Sequence, residues 1–250
     1  MSSLLTATSG LGTARTVVAV LAAAALVGGL GWLALGSDVM RFRTLRVVGN
    51  ERVSERQLRH LADLTSGVPL LLLDLDAATA GVSRHPWVAE AEARRVFPDT
   101  VVIQVRERQV RALVLLDGLY LVDTEGKPFR RADPDQLDHP IITGIPPALA
   151  DEQPALARRI VQDALGILDA ASGRAGLRED DISEVRFDAE SGYMLALRNG
   201  AEVLLGFQEP GSSESGAFAR LESLASRGVD LSRPLRIDLG SPKMAVVSPL

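Results

Sequence analysis

The chain has 250 residues, of which 46% are hydrophobic and 24% charged, with a net charge of −5 and no cysteine. That length can bury a real core, most naturally as two modest domains, while the absence of cysteine excludes disulfides, thiol nucleophiles and thiolate metal sites. Arginine dominates the cations (25 Arg, 2 Lys), yet no basic face with interleaved aromatics occurs, which argues against nucleic acid as a partner.

Residues 1–15 form a polar tail rich in Ser, Thr and Gly, expected to be disordered. Residues 16–37 carry no charge, and about 20 helical residues cross a ~30 Å hydrocarbon core, so this stretch reads as a transmembrane helix. A cleaved signal peptide is the rival reading, but secretory apolar cores usually run only ~7–15 residues. Flanking charge argues for the opposite orientation to the one adopted below: Arg15 precedes the span, whereas Arg41, Arg43 and Arg46 follow it. The positive-inside rule is weak for long translocated domains, so orientation has to come from elsewhere.

A strand is expected from Arg43 to the Gly49-Asn50 turn, where apolar and polar residues alternate. Ser54 is placed to cap a helix bearing Leu58, Leu61 and Leu64, broken by Ser66-Gly67-Val68-Pro69. The leucine run 70–73 reads as buried chain leading to a second helix, which starts near Asp74 or Asp76 and ends before Pro86. Two strands follow, joined by the turn Phe97-Pro98-Asp99-Thr100. On the first, Ala89, Ala91 and Ala93 alternate with Glu90, Glu92 and Arg94; on the second, Val101, Ile103 and Val105 share a face opposite Gln104, Arg106 and Arg108. Cross-strand pairs of Glu90 and Glu92 with Arg106 and Arg108 are expected, and the order β-α-α-β-β implies a small sheet with two helices on one face.

Beyond residue 110, strands are expected over 110–116 and 119–123 around the Asp117-Gly118 turn, then a proline-rich loop over 130–147. An amphipathic helix over 153–172 carries Leu156, Ile160, Ala164, Ile167 and Leu168. Strands over 182–188, 193–198 and 201–206, the last two joined by Asn199-Gly200, precede a helix over 216–227 and closing strands over 235–239 and 244–247. The fold class is therefore α+β: a single N-terminal transmembrane helix, a small β-α-α-β-β domain, then a mixed β-sheet domain with flanking helices.

Enzymatic cues fail together. His60, His85 and His139 lie in separate segments without ligand spacing, while Asp74-x-Asp76 and Glu179-Asp180-Asp181 suit helix caps and solvated loops. The serine-rich run 211–216 is not a nucleophile elbow and reads as a flexible loop, and no phosphate loop or dinucleotide fingerprint occurs. No catalytic, metal or cofactor site is expected, which leaves recognition through sheet edges.

The anchor, the Leu45-x-Val47-x-Gly49-Asn50 strand, Trp87-Val88 followed by a basic pair, Phe97-Pro98-Asp99-Thr100, Val105-x-Glu107-Arg108 and Val122-Asp123-x-x-Gly126, in that order, resemble the bacterial cell-division family FtsQ/DivIB with its POTRA (polypeptide-transport-associated) domain. The resemblance implies a cytoplasmic tail (1–15), a transmembrane helix (16–37), a POTRA domain (38–109) and a β-domain (110–250). It further implies an inner-membrane divisome scaffold, N-terminus in the cytoplasm, that recruits FtsB- and FtsL-like partners at the septum. The implied contact lies near the last strands: Ile237, Leu239, Ser241, Lys243, Met244 and Val246, with Arg186 on an earlier strand. Gly240-Ser241 replaces the Arg-Tyr of well-known members, so an aromatic anchor is missing here. The alternatives are a POTRA protein of outer-membrane assembly or secretion, and an envelope hydrolase.

Overall fold

A computed structural model describes residues 9–36, 38–207, 216–241 and 244–249. The chain divides into two compact units, Met1–Glu107 and Arg108–Leu250.

The first unit opens with helix α1 (Ser9–Gly36), which begins seven residues before the expected start, so residues 9–15 are helical and not part of an irregular tail. The side chains described in it, those of residues 16–29, are all exposed. Fourteen helical residues span only about 21 Å, and among the described residues no helix is long and apolar enough to cross a membrane. After it come β1 (Thr44–Val48), α2 (Glu55–Ala62), α3 (Leu75–Ser83), β2 (Val88–Val96) and β3 (Thr100–Glu107). The sheet order is β1-β3-β2, with β1 parallel and β2 antiparallel to β3.

The local reasons are legible. Ser54 accepts from the Gln57 amide, and the Gln57 side-chain oxygen in turn accepts from the Ser54 amide, a capping box that starts α2. Asp74 does the same work for α3 through the Ala77 amide (2.9 Å). Leu58, Ala62, Ala78 and Val82 pack under Leu45, Val101, Ile103 and Val105, all buried. The helices approach closely because α3 carries Gly81: a Cβ there would sit 2.1 Å from the Leu61 carbonyl oxygen. Leu64 lies beyond the end of α2. In the leucine run the expectation of buried chain fails by half. The run forms a 3-10 turn, Leu70–Leu72, in which Leu70 and then Leu73 are buried, while Leu71 is 49% and Leu72 70% exposed.

The second unit is one nine-stranded mixed sheet, in the order β12-β11-β10-β9-β8-β7-β4-β5-β6. Its strands are β4 (Val110–Leu115), β5 (Leu119–Asp123), β6 (Pro128–Arg131), β7 (Ile141–Thr143), β8 (Ile182–Asp188), β9 (Gly192–Leu197), β10 (Glu202–Gly206), β11 (Leu235–Asp238) and β12 (Val246–Pro249). Three helices accompany it: α4 (Pro147–Glu152), α5 (Pro154–Ala171) and α6 (Ala217–Ser226). Ala157, Ile160, Val161, Ala164, Leu165 and Leu168 of α5 pack with Val185, Leu195, Val203 and Ile237 in one core, whereas Leu156 is exposed (43%). The Tyr193 hydroxyl donates to Asp163 on α5 (3.2 Å). Burial, followed by that carboxylate, pushes the phenol pKa up.

The expected loop over 130–147 contains the end of β6 and all of β7. β7 pairs in parallel with both β4 and β8, so it lies in the middle of the sheet with Ile142 fully buried. The serine-rich run up to residue 215 lies outside the described residues.

Candidate functional site: the β8–β12 face and its edge

Register carries one row of residues across the sheet: Thr143 opposes Arg186, Arg186 opposes Met194, Met194 opposes Leu204, Leu204 opposes Asp238, and Asp238 opposes Val246. Directly opposed residues point to the same face. A parallel row runs Glu184, Ala196, Glu202, Arg236, Ser248. This face lies opposite the helices, and Arg186, Asp188, Ser191, Met194, Leu204, Arg236 and Asp238 line a depression of about 350 Å³ in it.

The depression has an apolar floor, Met194 and Leu204, between charged walls. Arg186 pairs with Glu184 (2.9 Å), and Arg236 with Glu202 (2.8 Å). The hydrogen bond Arg186 donates to Glu184, then the charges of Glu184 and Glu202, raise the Arg186 guanidinium pKa against desolvation. Asp188 accepts from the Ser191 amide (2.8 Å) and from the Glu190 amide, which holds its carboxyl below the usual range and fixes the turn at one rim.

The row ends at β12, an edge strand of the sheet. Of the residues expected at a partner contact, Arg186, Ser241, Met244 (66%) and Val246 (57%) are exposed, and Arg186 and Val246 share the row. The side chains of Ile237 and Leu239 are fully buried in the core, where they hold β11 in place. Leu239 further ties its amide to the Leu204 carbonyl (2.8 Å) and its carbonyl to Arg220 of α6 (2.5 Å). Lys243 lies outside the described residues. Met194, Leu204, Arg236 and Asp238 went unnamed in the sequence because register across four strands, not local spacing, brings them together.

Among the described residues no group of three or more His, Asp and Glu is placed to hold a metal. Two motif carboxylates instead hold backbone. Glu107 accepts from the amides of Glu51 (3.0 Å), Arg52 (2.9 Å) and Val53 (2.9 Å), tying the loop after β1 to the end of β3. Asp123 accepts from the amides of Glu125 (3.0 Å) and Lys127 (2.9 Å) and pairs with Arg108, both side chains being largely buried. Of the expected cross-strand pairs, Arg106 forms one with Glu90 (3.1 Å).

Residues 40–108 match the family description "POTRA domain, FtsQ-type", and residues 112–240 match "Cell division protein FtsQ/DivIB, C-terminal". Among relatives named cell division protein FtsQ, that of Anaeromyxobacter sp. is 42% identical over 77% of this chain and 67% of its own length. That of Syntrophotalea carbinolica is 35% identical over 66% of this chain and 59% of its own length, and that of Caulobacter vibrioides 30% identical over 84% and 64%. The chain thus spans about three fifths to two thirds of these relatives. The three-stranded unit with two helices on one face, the nine-stranded sheet, and these matches over both units together place the chain in the FtsQ/DivIB family of cell-division proteins.

Proposed function

We propose that the protein is a membrane-anchored scaffold of the divisome, with residues 1–15 as a cytoplasmic tail, 16–37 as the membrane span, 38–109 as the POTRA domain and 110–250 as the β-domain outside the cytoplasmic membrane. The uncharged stretch 16–37, at 1.5 Å per residue, is about 33 Å long, enough for a bilayer core. Its partners are FtsB- and FtsL-like bitopic proteins, and its role is to gather them at the septum where peptidoglycan synthesis is controlled. It acts by binding, not by catalysis.

The observation that carries this reading is the edge strand β12 at the end of the Arg186–Val246 row. An edge strand offers free amides and carbonyls to an added strand, while a neighbouring face supplies side-chain selectivity. Guanidiniums of Arg186 and Arg236 beside an apolar floor suit a partner segment carrying a carboxylate next to an aliphatic side chain. A partner held both in the membrane and at β12 gains effective concentration.

The test has two arms. Depletion in the host bacterium produces filaments and a fluorescent fusion sits at midcell; normal division on depletion sinks the reading. In a pull-down with the host's FtsB-like ectodomain, Val246→Asp and Arg186→Glu each weaken binding about tenfold, or ~1.4 kcal/mol, while unchanged binding by both excludes this edge.

A further inference from the structure

One end of the POTRA domain gathers the segments nearest to α1 in the chain. β1 and β3 both start there, at Thr44 and Thr100, and β2 finishes there at Val96. The turn after β2 is bonded to the segment before β1, since Arg43 donates its amide to the Asp99 carbonyl (2.9 Å). The loop before the leucine turn is stitched to the same segment: Phe42 donates to the Val68 carbonyl and Gly67 to the Phe42 carbonyl, both at 2.9 Å, and Arg41 donates to the Gly67 carbonyl (2.8 Å). Arg95 clamps the leucine turn itself, donating to the carbonyls of Leu70 (2.9 Å) and Leu73 (2.5 Å).

Onto this end the fold presents apolar side chains it does not bury. Val39 is 62% exposed, Leu71 49%, Leu72 70% and Phe97 55%. Of the large apolar side chains most exposed in residues 38–107, only Val48 lies elsewhere. Large apolar side chains left exposed on segments tied together at one end of a small domain suit a contact surface. Arg43, Arg46 and Arg94 are exposed on the segments that reach this end, while Arg41 is paired with Asp38 (3.0 Å).

We propose that this end of the POTRA domain rests on the membrane, with Leu71, Leu72 and Phe97 entering the interfacial layer of an anionic bilayer and the exposed arginines, chiefly Arg43, meeting lipid phosphates. The proposal rests on the reading of α1 as the anchor. Phe42 follows Gly36, the last residue of α1, by six positions, so the surface lies within about 20 Å of the helix end even with the chain fully extended. The tether keeps the local bilayer concentration high, and weak interfacial contacts then suffice to orient the domain. Guanidinium groups pair with phosphate in a bidentate way, and Phe and Leu side chains bury at the boundary of headgroups and acyl chains, so both residue types suit this surface.

Because the chain lacks cysteine, one engineered thiol reports one place. The full chain is reconstituted in vesicles containing phosphatidylglycerol, with an environment-sensitive fluorophore on Leu72→Cys, Phe97→Cys, Val48→Cys or Ala24→Cys, and lipids carrying a shallow-depth quencher are added. Lipid quenching should remove at least about half of the emission at 72 and 97, and little at 48, as interfacial burial requires. Loss of quenching at 72 and 97 with quenching retained at 24 overturns the membrane contact and leaves the anchor standing. Loss at 24 as well overturns both. A blue-shifted probe at 72 that lipid does not quench assigns the surface to protein and likewise overturns the proposal.

Discussion

Glu107 shows how a single side chain can hold a domain shut. Burial alone would raise its pKa, but the amides of Val53, Arg52 and Glu51, with the charge of Arg52, outweigh it and hold the carboxyl below its ordinary value. A depressed carboxylate contributes stability above its unfolded pKa, near about 4.3, and loses it as pH falls through the folded value. Glu107→Gln should therefore destabilise the POTRA domain at pH 7 by about 1 kcal/mol, discounted for partial exposure. The gap from wild type should close as the pH is lowered below about 4. Denaturant titrations across that range check it, and a gap independent of pH would assign the role to packing. Asp123 works similarly in the β-domain, closing the turn to Gly126 and neutralising Arg108. Both residues stand out in the sequence as motif members, but the role of Glu107 does not, because the amides it serves are up to 56 residues away, whereas those of Asp123 lie two and four residues on.

At the scale of elements, capping and alternation were readable and short central pieces were not. Ser54 and Asp74 start helices where the sequence places them, because a cap depends on residues three apart. β7 was missed because three residues beside Pro140 carry no period, and it is a strand only through two parallel neighbours. Since Ile142 is fully buried between them, Ile142→Ala should cost about 2–5 kcal/mol. Amide exchange should then quicken in β4 and β8 together; faster exchange confined to residues 141–143 would contradict a keystone role. The burial of Ile237 and Leu239 was legible, since large aliphatics two apart on a strand mark its buried face. The leucine run misled for the opposite reason, since four identical residues cannot say which two face the core.

For the molecule as a whole, two separate cores mean that damage to one unit should spare the chemistry of the other. Ile103 is fully buried in the POTRA sheet, and a carboxylate there cannot be paired. Ile103→Asp should abolish amide protection over residues 44–107 while residues 182–206 keep theirs and the partner ectodomain still binds at β12. Loss of protection in both ranges would mean that the β-domain needs the POTRA domain to fold. The sequence by itself determined the α+β class, the β-α-α-β-β order, the hairpins around Asp117-Gly118 and Asn199-Gly200 and the family, because periodicity, turn chemistry and motif order act over a few residues. Only the tertiary structure decided which strand is an edge, which side chains share the Arg186–Val246 row, and that Val39, Leu71, Leu72 and Phe97 stay exposed. Those depend on strand order and register between segments as much as 103 residues apart, from Thr143 to Val246, and no local pattern encodes such pairings.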